Sequence, residues 1–174
     1  GIVINGKVVR GATNAAGELG HIKLQMNGGP ICGCGDTGCL EAFASGPAIV
    51  AMAQEYIKGG KSTKFREMAA VEGGEITPYM VAKAAEEGDP VAKRIFEIVG
   101  EYIGIGLTSV INLLNPERVI IGGGVAESGE LLLGPIRKTI KERAMVVAGN
   151  AVEIVPAQLG NSAGVIGASM LIEG

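Results

Sequence analysis

All three cysteines and the single histidine of this 174-residue chain fall within one stretch, GHIKLQMNGGPICGCGDTGCLEA. Four nitrogen or sulfur ligands arranged tetrahedrally are what zinc prefers, and Cys₃His is an established structural set. His21, Cys32, Cys34 and Cys39 supply that set, and Gly33, Gly35 and Gly38 lie beside the sulfurs, where the backbone must wrap tightly around a small ion. Four protein ligands leave no open position for a catalytic water, so the expected ion is structural. Two other readings stay open at this level: three reduced thiols beside a packed histidine, or a Cys32–Cys39 disulfide. The clustering favours the ligand set. Three cysteines cannot all pair within one chain, which points to a reducing, cytoplasmic setting.

Lysine and arginine number 15 against 18 aspartates and glutamates, a formal charge of −3. No run of like charge stands out, so no nucleic-acid partner is expected. The most apolar stretch, Ile103 to Leu114, is bounded by Glu101 and Glu117 and is too short to span a bilayer; no membrane association is expected. The chain opens on Gly1 with neither a basic segment nor an apolar one behind it, so no targeting peptide is expected. The length suits one domain.

Ile2-Val3-Ile4 and Lys7-Val8-Val9 flank Asn5-Gly6, the dipeptide suited to a type I′ turn, so the chain is expected to open with a β-hairpin. His21 to Leu24 is expected to add a third strand. Leu40 to Ala44 and Ala48 to Ile57 read as helices, the second capped at Ser45-Gly46-Pro47 with Ile49, Met52, Ala53 and Tyr56 on one face. Lys58 to Gly88, punctuated by Gly59-Gly60, Gly73-Gly74 and Thr77-Pro78, reads as a helical insertion on the surface. Asp89-Pro90 opens a long apolar helix that Asn115-Pro116 stops. A buried strand follows at Arg118 to Ile121, ending in Gly122-Gly123-Gly124; then come a helix over Leu131 to Met145, a strand over Val152 to Val155 and a closing helix over Ser162 to Ile172. The expected fold is α/β in the order βββαβαβα, with a helical insertion and a metal loop. Gly100, Gly104 and Gly106 each lower helix propensity by about 1 kcal/mol, which close packing explains better than catalysis does.

Glu18-Leu19-Gly20-His21, followed by Cys32-x-Cys34-Gly35-x-x-Gly38-Cys39-x-Glu41, resembles the signature of the ROK family of bacterial sugar kinases and related repressors. The segment Leu113-Leu114-Asn115-Pro116-Glu117-Arg118-Val119-Ile120-Ile121-Gly122-Gly123-Gly124 resembles that family's helix–strand–glycine segment. The resemblance implies the actin-like ATPase (ribonuclease H-like) fold, with residues 1–174 as the C-terminal (large) domain. It places the Asp-x-Gly-Gly-Thr phosphate hairpin and the catalytic aspartate in an N-terminal half that this sequence does not include, so the catalytic residue is expected outside this chain.

The same resemblance implies that Glu18, His21 and Glu41 hydrogen-bond hexose hydroxyls, glucose being the leading candidate. It also implies that ATP with Mg²⁺ is the donor, and that the protein forms a homodimer or homotetramer. Ionised carboxylates accept charge-assisted bonds from hydroxyls, which suits both glutamates. Without the family pattern, Glu18 reads equally well as a solvated surface charge. Gly122, Gly123 and Gly124 after a strand let the backbone approach a nucleotide, but a tight turn explains such a run as well. Gly160-Asn161-Ser162 carries a weaker form of the same signal. The expected function is therefore part of an ATP-dependent glucokinase-type hexokinase. The alternatives are the effector-binding domain of a sugar-responsive repressor, or a non-catalytic zinc-stabilised dimerisation or sugar-binding module.

Overall fold

Asn5 and Gly6 both adopt positive φ, 51° and 74°, as a type I′ turn requires. The turn joins β1 (Val3–Ile4) to β2 (Lys7–Val8), antiparallel with Val3 opposite Val8 and Ile4 opposite Lys7. The computed structural model describes residues 1–170; the last two positions of the expected closing helix, Leu171 and Ile172, lie outside the described residues.

The third strand expected over His21 to Leu24 does not form. His21 ends a 3₁₀ turn (Leu19–His21), and beyond it Lys23 makes an isolated antiparallel bridge to Cys39. Gly38, beside Cys39, has φ +74°, which breaks the extended partner that a longer ladder would need. The order is accordingly two strands, five helices, a strand, two helices, a strand and a helix.

α1 (Leu40–Ala44) leads directly into α2 (Gly46–Lys58), whose first turn is capped by the Ser45 hydroxyl accepting from the Ala48 N–H. The insertion is helical as expected, with α3 (Lys64–Val71) and α4 (Pro78–Glu86). It is not superficial: Phe65, Ala69, Met80, Val81, Ala84 and Ala85 are buried in the main core. Charged Lys64, Arg66 and Glu67 surround Phe65 in sequence and hide a one-sided apolar face.

α5 (Pro90–Leu114) is long and apolar enough to cross a membrane by length and composition alone. Here it serves as the spine of the core, burying Ile95, Phe96, Val99, Leu107 and Ile111. Asp89 caps it, one carboxylate oxygen accepting from the Val91 and Ala92 N–H groups at 2.8 and 3.0 Å. The other oxygen accepts from Lys64 N–H at 2.7 Å, so a single buried carboxylate serves the starts of α5 and α3.

β3 (Arg118–Ile121) runs parallel to β4 (Glu153–Pro156), with Arg118 opposite Glu153. Between them lie α6 (Glu130–Arg143) and α7 (Val146–Ala151); α8 (Ala163–Met170) follows. β3 is not buried as expected: it alternates, and Ile120 is 64% exposed, because the sheet has two strands and only one face is packed.

Gly100 and Gly104 face α6. A Cβ on Gly104 would sit 2.5 Å from Thr139 Cβ and 3.1 Å from the Ile136 carbonyl oxygen, whereas one on Gly134 would meet nothing within 4 Å. Gly104→Ala should therefore cost about 2 kcal/mol or more by overpacking, while Gly134→Ala should gain about 0.5–1 kcal/mol. Asp89→Ala, which strands three N–H groups, should cost about 2–4 kcal/mol. Chemical denaturation of the three variants checks all these values.

Candidate functional site

The 3₁₀ turn is closed by His21 N–H on the Glu18 carbonyl at 3.1 Å and Ile22 N–H on the Leu19 carbonyl at 3.2 Å. Glu18 precedes the turn as its cap, with φ −77° and ψ 62°, and His21 closes it. Beyond it the chain runs antiparallel to residues 38–40, with Leu40 N–H on the Ile22 carbonyl and Leu24 N–H on the Gly38 carbonyl. The intervening loop folds on itself through the Ile31–Thr37 bridge, Cys32 N–H on the Asp36 carbonyl at 2.7 Å and Gly35 N–H on the Cys32 carbonyl at 2.9 Å. Gly38 cannot be replaced without collision, since a Cβ there would run into the Gln25 carbonyl oxygen.

This folding brings one ligand atom from each of His21, Cys32, Cys34 and Cys39 within 4.8 Å of all the others. The Cys32 sulfur lies 3.5 Å from His21 Nδ1, and the Cys34 and Cys39 sulfurs lie 3.8 Å apart. Zinc bond lengths of about 2.3 Å to sulfur and about 2.0 Å to nitrogen imply tetrahedral edges of about 3.8 Å between sulfurs and about 3.5 Å between sulfur and nitrogen. The donor set and these two edges fit a four-coordinate ion. All three thiols are free in this structure. Cys32 and Cys39 are buried, while His21 and Cys34 reach the surface.

Charge within the cluster is uneven. The backbone N–H of Cys34 pulls the Cys32 thiol down, but burial and the adjoining thiols of Cys34 and Cys39 outweigh it and leave it at about 11. Cys34 is held below the ordinary thiol value, first by the Asp36 backbone N–H and then by Cys32.

Glu41, in the first turn of α1, places one carboxylate oxygen 3.7 Å from the Cys32 sulfur. Gly20 and Gly33 leave room for it: a Cβ on Gly20 would be 3.3 Å from Glu41 Oε2, and one on Gly33 would be 3.7 Å from Oε1. The cluster and Glu41 are thus one assembly, reached from the Glu18–His21 turn.

Gly122, Gly123 and Gly124 belong to a different part of the fold. They follow β3 at the carboxyl end of the parallel pair; Gly123 has φ +92°, and Gly124 opens the 3₁₀ turn Gly124–Ser128. Gly122 lets this end lie against Ala157, whose N–H bonds the Ile121 carbonyl at 2.8 Å. A turn requirement therefore accounts for Gly123 and close packing for Gly122.

Lys23 and Asp36 escaped the sequence reading. The Lys23 ammonium meets Asp36 at 2.6 Å, the Thr37 carbonyl at 2.7 Å and the Cys39 sulfur at 3.4 Å. The pair raises the lysine above its ordinary value, chiefly through the Asp36 bond, and lowers the aspartate, chiefly through the lysine. The only available signal was a basic residue close to His21 and an acidic one inside the cysteine loop. Concavities of about 610 Å³ between α2 and α3, and about 510 Å³ beside α1, α2 and α5, are not lined by Glu18, His21, Glu41 or the cysteines.

Metal uptake at this cluster should be pH-dependent, because Cys32 enters it carrying a proton that the ion must displace. Titration calorimetry with Zn²⁺ in buffers of different ionisation enthalpy should record proton release, with affinity falling as pH drops from about 8 to about 6. Cys39→Ser should abolish stoichiometric uptake.

The ROK family profile matches residues 1–174. A glucokinase of Halalkalibacterium halodurans is 37% identical over 173 residues, covering 99% of this chain and 52% of that protein. A xylose repressor of Caldicellulosiruptor bescii is 35% identical over 172 residues, covering 99% and 42%. The crystal structure of a ROK glucokinase from Streptomyces griseus, in complex with glucose and AMPPNP, superposes with a TM-score of 0.84 at 36% identity, covering 99% of this chain and 56% of that one. A ROK transcriptional regulator homologous to the Escherichia coli MLC protein gives 0.78 at 34%, covering 90% and 38%. The chain thus spans about half the length of the curated relatives it matches, and it has the fold of the ROK sugar kinases. This chain belongs to the ROK family.

Proposed function

We propose that residues 1–174 are the C-terminal (large) domain of an ATP-dependent sugar kinase of glucokinase type, acting on the 6-hydroxyl of glucose or a related hexose in the cytoplasm. The observation that carries this reading is the seating of Glu41 against the Cys32 sulfur, with His21 Nδ1 turned to the same sulfur. A ligand cluster that fixes Nδ1 leaves Nε2 of the ring free to meet a hydroxyl. The loop seats the Glu41 carboxylate beside it, where Gly20 and Gly33 leave room, and Glu18 stands at the start of the turn that ends in His21. Two carboxylates that accept and one imidazole Nε2–H that donates are a suitable set for vicinal sugar hydroxyls.

Zinc is the ion proposed for His21, Cys32, Cys34 and Cys39; its part is to hold the loop, and no step of the reaction passes through it. Gly122, Gly123 and Gly124 are proposed to let the backbone approach ATP, with Mg²⁺ offsetting the phosphate charge. The base that takes the 6-hydroxyl proton is assigned to the other half of the protein. In this scheme the chain binds and orients the sugar, and phosphoryl transfer needs both halves. Self-association as a homodimer or homotetramer belongs to the same proposal.

A second reading has a specific observation behind it, the similarity to repressors of the same family. There the same assembly would bind an effector sugar without phosphorylating it. A coupled assay of the full-length protein with glucose, ATP and Mg²⁺ separates the two: turnover selects the kinase, and binding without turnover selects the repressor.

In the full-length protein, Glu41→Gln should weaken glucose binding about 10- to 100-fold, the value of a hydrogen bond to a charged group, while zinc content stays at one per chain. Calorimetry with glucose and metal analysis check this together. The 174-residue chain alone should bind glucose no better than about millimolar, because a one-sided site cannot exclude water. Micromolar binding by the chain alone would overturn that assignment of the pocket.

A further inference from the structure

The Lys23 side chain crosses from the strand-like segment after the 3₁₀ turn to the far side of the cysteine loop. There its ammonium spends its donors on Asp36, the Thr37 carbonyl and the Cys39 sulfur, at 2.6, 2.7 and 3.4 Å. The backbone bridge between Lys23 and Cys39 sets this reach, since paired residues on adjacent strands stand directly opposite each other. Asp36 is anchored in turn: its side chain accepts from Thr37 N–H at 2.7 Å and its carbonyl accepts from Cys32 N–H at 2.7 Å. The ammonium therefore ties the segment after the 3₁₀ turn to the second half of the cysteine loop and donates to one of the four candidate ligand atoms.

The charge balance makes that donor useful. Three thiolates, a neutral imidazole and a divalent ion together carry one negative charge, and Glu41 adds another 3.7 Å from the Cys32 sulfur. A cation bonded to one of the sulfurs stabilises the loaded centre over the metal-free thiols, and an N–H donor on a ligated sulfur withdraws electron density from it. A purely structural lysine would need only the Asp36 and Thr37 contacts; the contact with sulfur is what points to the metal.

We propose that Lys23 is a positioning residue of the metal centre, holding the Cys39 sulfur and compensating the charge of the loaded cluster, with Asp36 orienting the ammonium. This rests on the metal reading given above, and it concerns how tightly and how long the ion is held, not the sugar chemistry. The same bond makes the Cys39 sulfur a poorer nucleophile in the loaded protein.

The test uses the 174-residue chain, loaded with one equivalent of Zn²⁺ or Co²⁺, as wild type and as Lys23→Met, Lys23→Arg and Asp36→Asn, each checked for helix content by circular dichroism. Zinc release is followed with a chromophoric chelator, and the sulfur-to-cobalt charge-transfer band is recorded. Lys23→Met should lose the ion about 10-fold faster and shift the cobalt band, and Lys23→Arg, which keeps a cationic N–H donor, should restore the band. Lys23→Arg should stay within about threefold of wild type, and Asp36→Asn should fall between. Wild-type rates and an unmoved cobalt band in Lys23→Met would overturn the role of Lys23 while leaving the metal reading intact. Failure of the wild-type chain itself to take up zinc would overturn the metal reading, and the proposal with it. If Lys23→Met does not fold, Asp36→Asn decides by the same two measurements.

Discussion

Helix α5 is approached closely from two sides, and both approaches depend on missing side chains. On one side Gly100 and Gly104, one helical turn apart, admit α6: a Cβ on Gly100 would stand 2.6 Å from Pro135 Cβ and 3.1 Å from the Leu132 carbonyl oxygen. On the other, Gly106 accepts the tips of Leu40 and Ile22, with the nearest Leu40 methyl 2.7 Å from where its Cβ would be. Each glycine disfavours helix by about 1 kcal/mol, a cost that only dense packing offsets. Leu40 stands between Cys39 and Glu41, and Ile22 follows His21. The depth to which α5 accepts these two side chains therefore sets the position of two candidate metal ligands and one candidate sugar ligand.

What the sequence made legible followed from local rules that tertiary contacts did not override. Asn5-Gly6 accepts positive φ at both positions, Asp89-Pro90 starts a helix, Asn115 in the left-handed region ends it, and β3 occupies the four residues expected of it. The failures share the opposite cause. α7 contains Gly149 and Asn150 and has little intrinsic helix propensity, yet it forms because Gly149 packs against Ala144, a Cβ at Gly149 coming within 3.0 Å of Ala144 Cβ. α3 looked superficial because its charged residues dominate its composition, although Phe65 is fully buried. The third strand looked continuous because alternation over four residues says nothing about the partner, and the partner is interrupted at Gly38.

The candidate site was legible to the extent that its chemistry lies in residue identity. Cysteines and histidines at close spacing announce a ligand set wherever the chain goes, and the fold brings all four together. The position of Glu41 was readable because one helical residue separates it from Cys39. Lys23 was not readable, since lysines are common, and its significance comes from a cross-loop pairing that no local pattern encodes. The glycines after β3 stand between these cases. Their backbone conformation is accounted for by the turn and by Ala157, so they carry no information about a nucleotide beyond the resemblance that suggested one.

The assembly is also electrostatically incomplete as bare protein. Two buried thiols, a third at the surface and the Glu41 carboxylate are crowded within a few ångströms, with Lys23 as the compensating cation seated on Cys39. Crowding of this kind keeps a proton on Cys32, while Cys34 is held below the ordinary thiol value. A divalent ion held by His21, Cys32, Cys34 and Cys39 would displace the Cys32 proton and leave Glu41 without that thiol as a donor. Released from the thiol, that carboxylate is free to take a hydroxyl proton donor from outside. On the proposed reading, metal binding and sugar recognition are coupled through one contact, between Glu41 and Cys32, and the same coupling would serve a kinase or a repressor alike, because it acts before any chemistry begins.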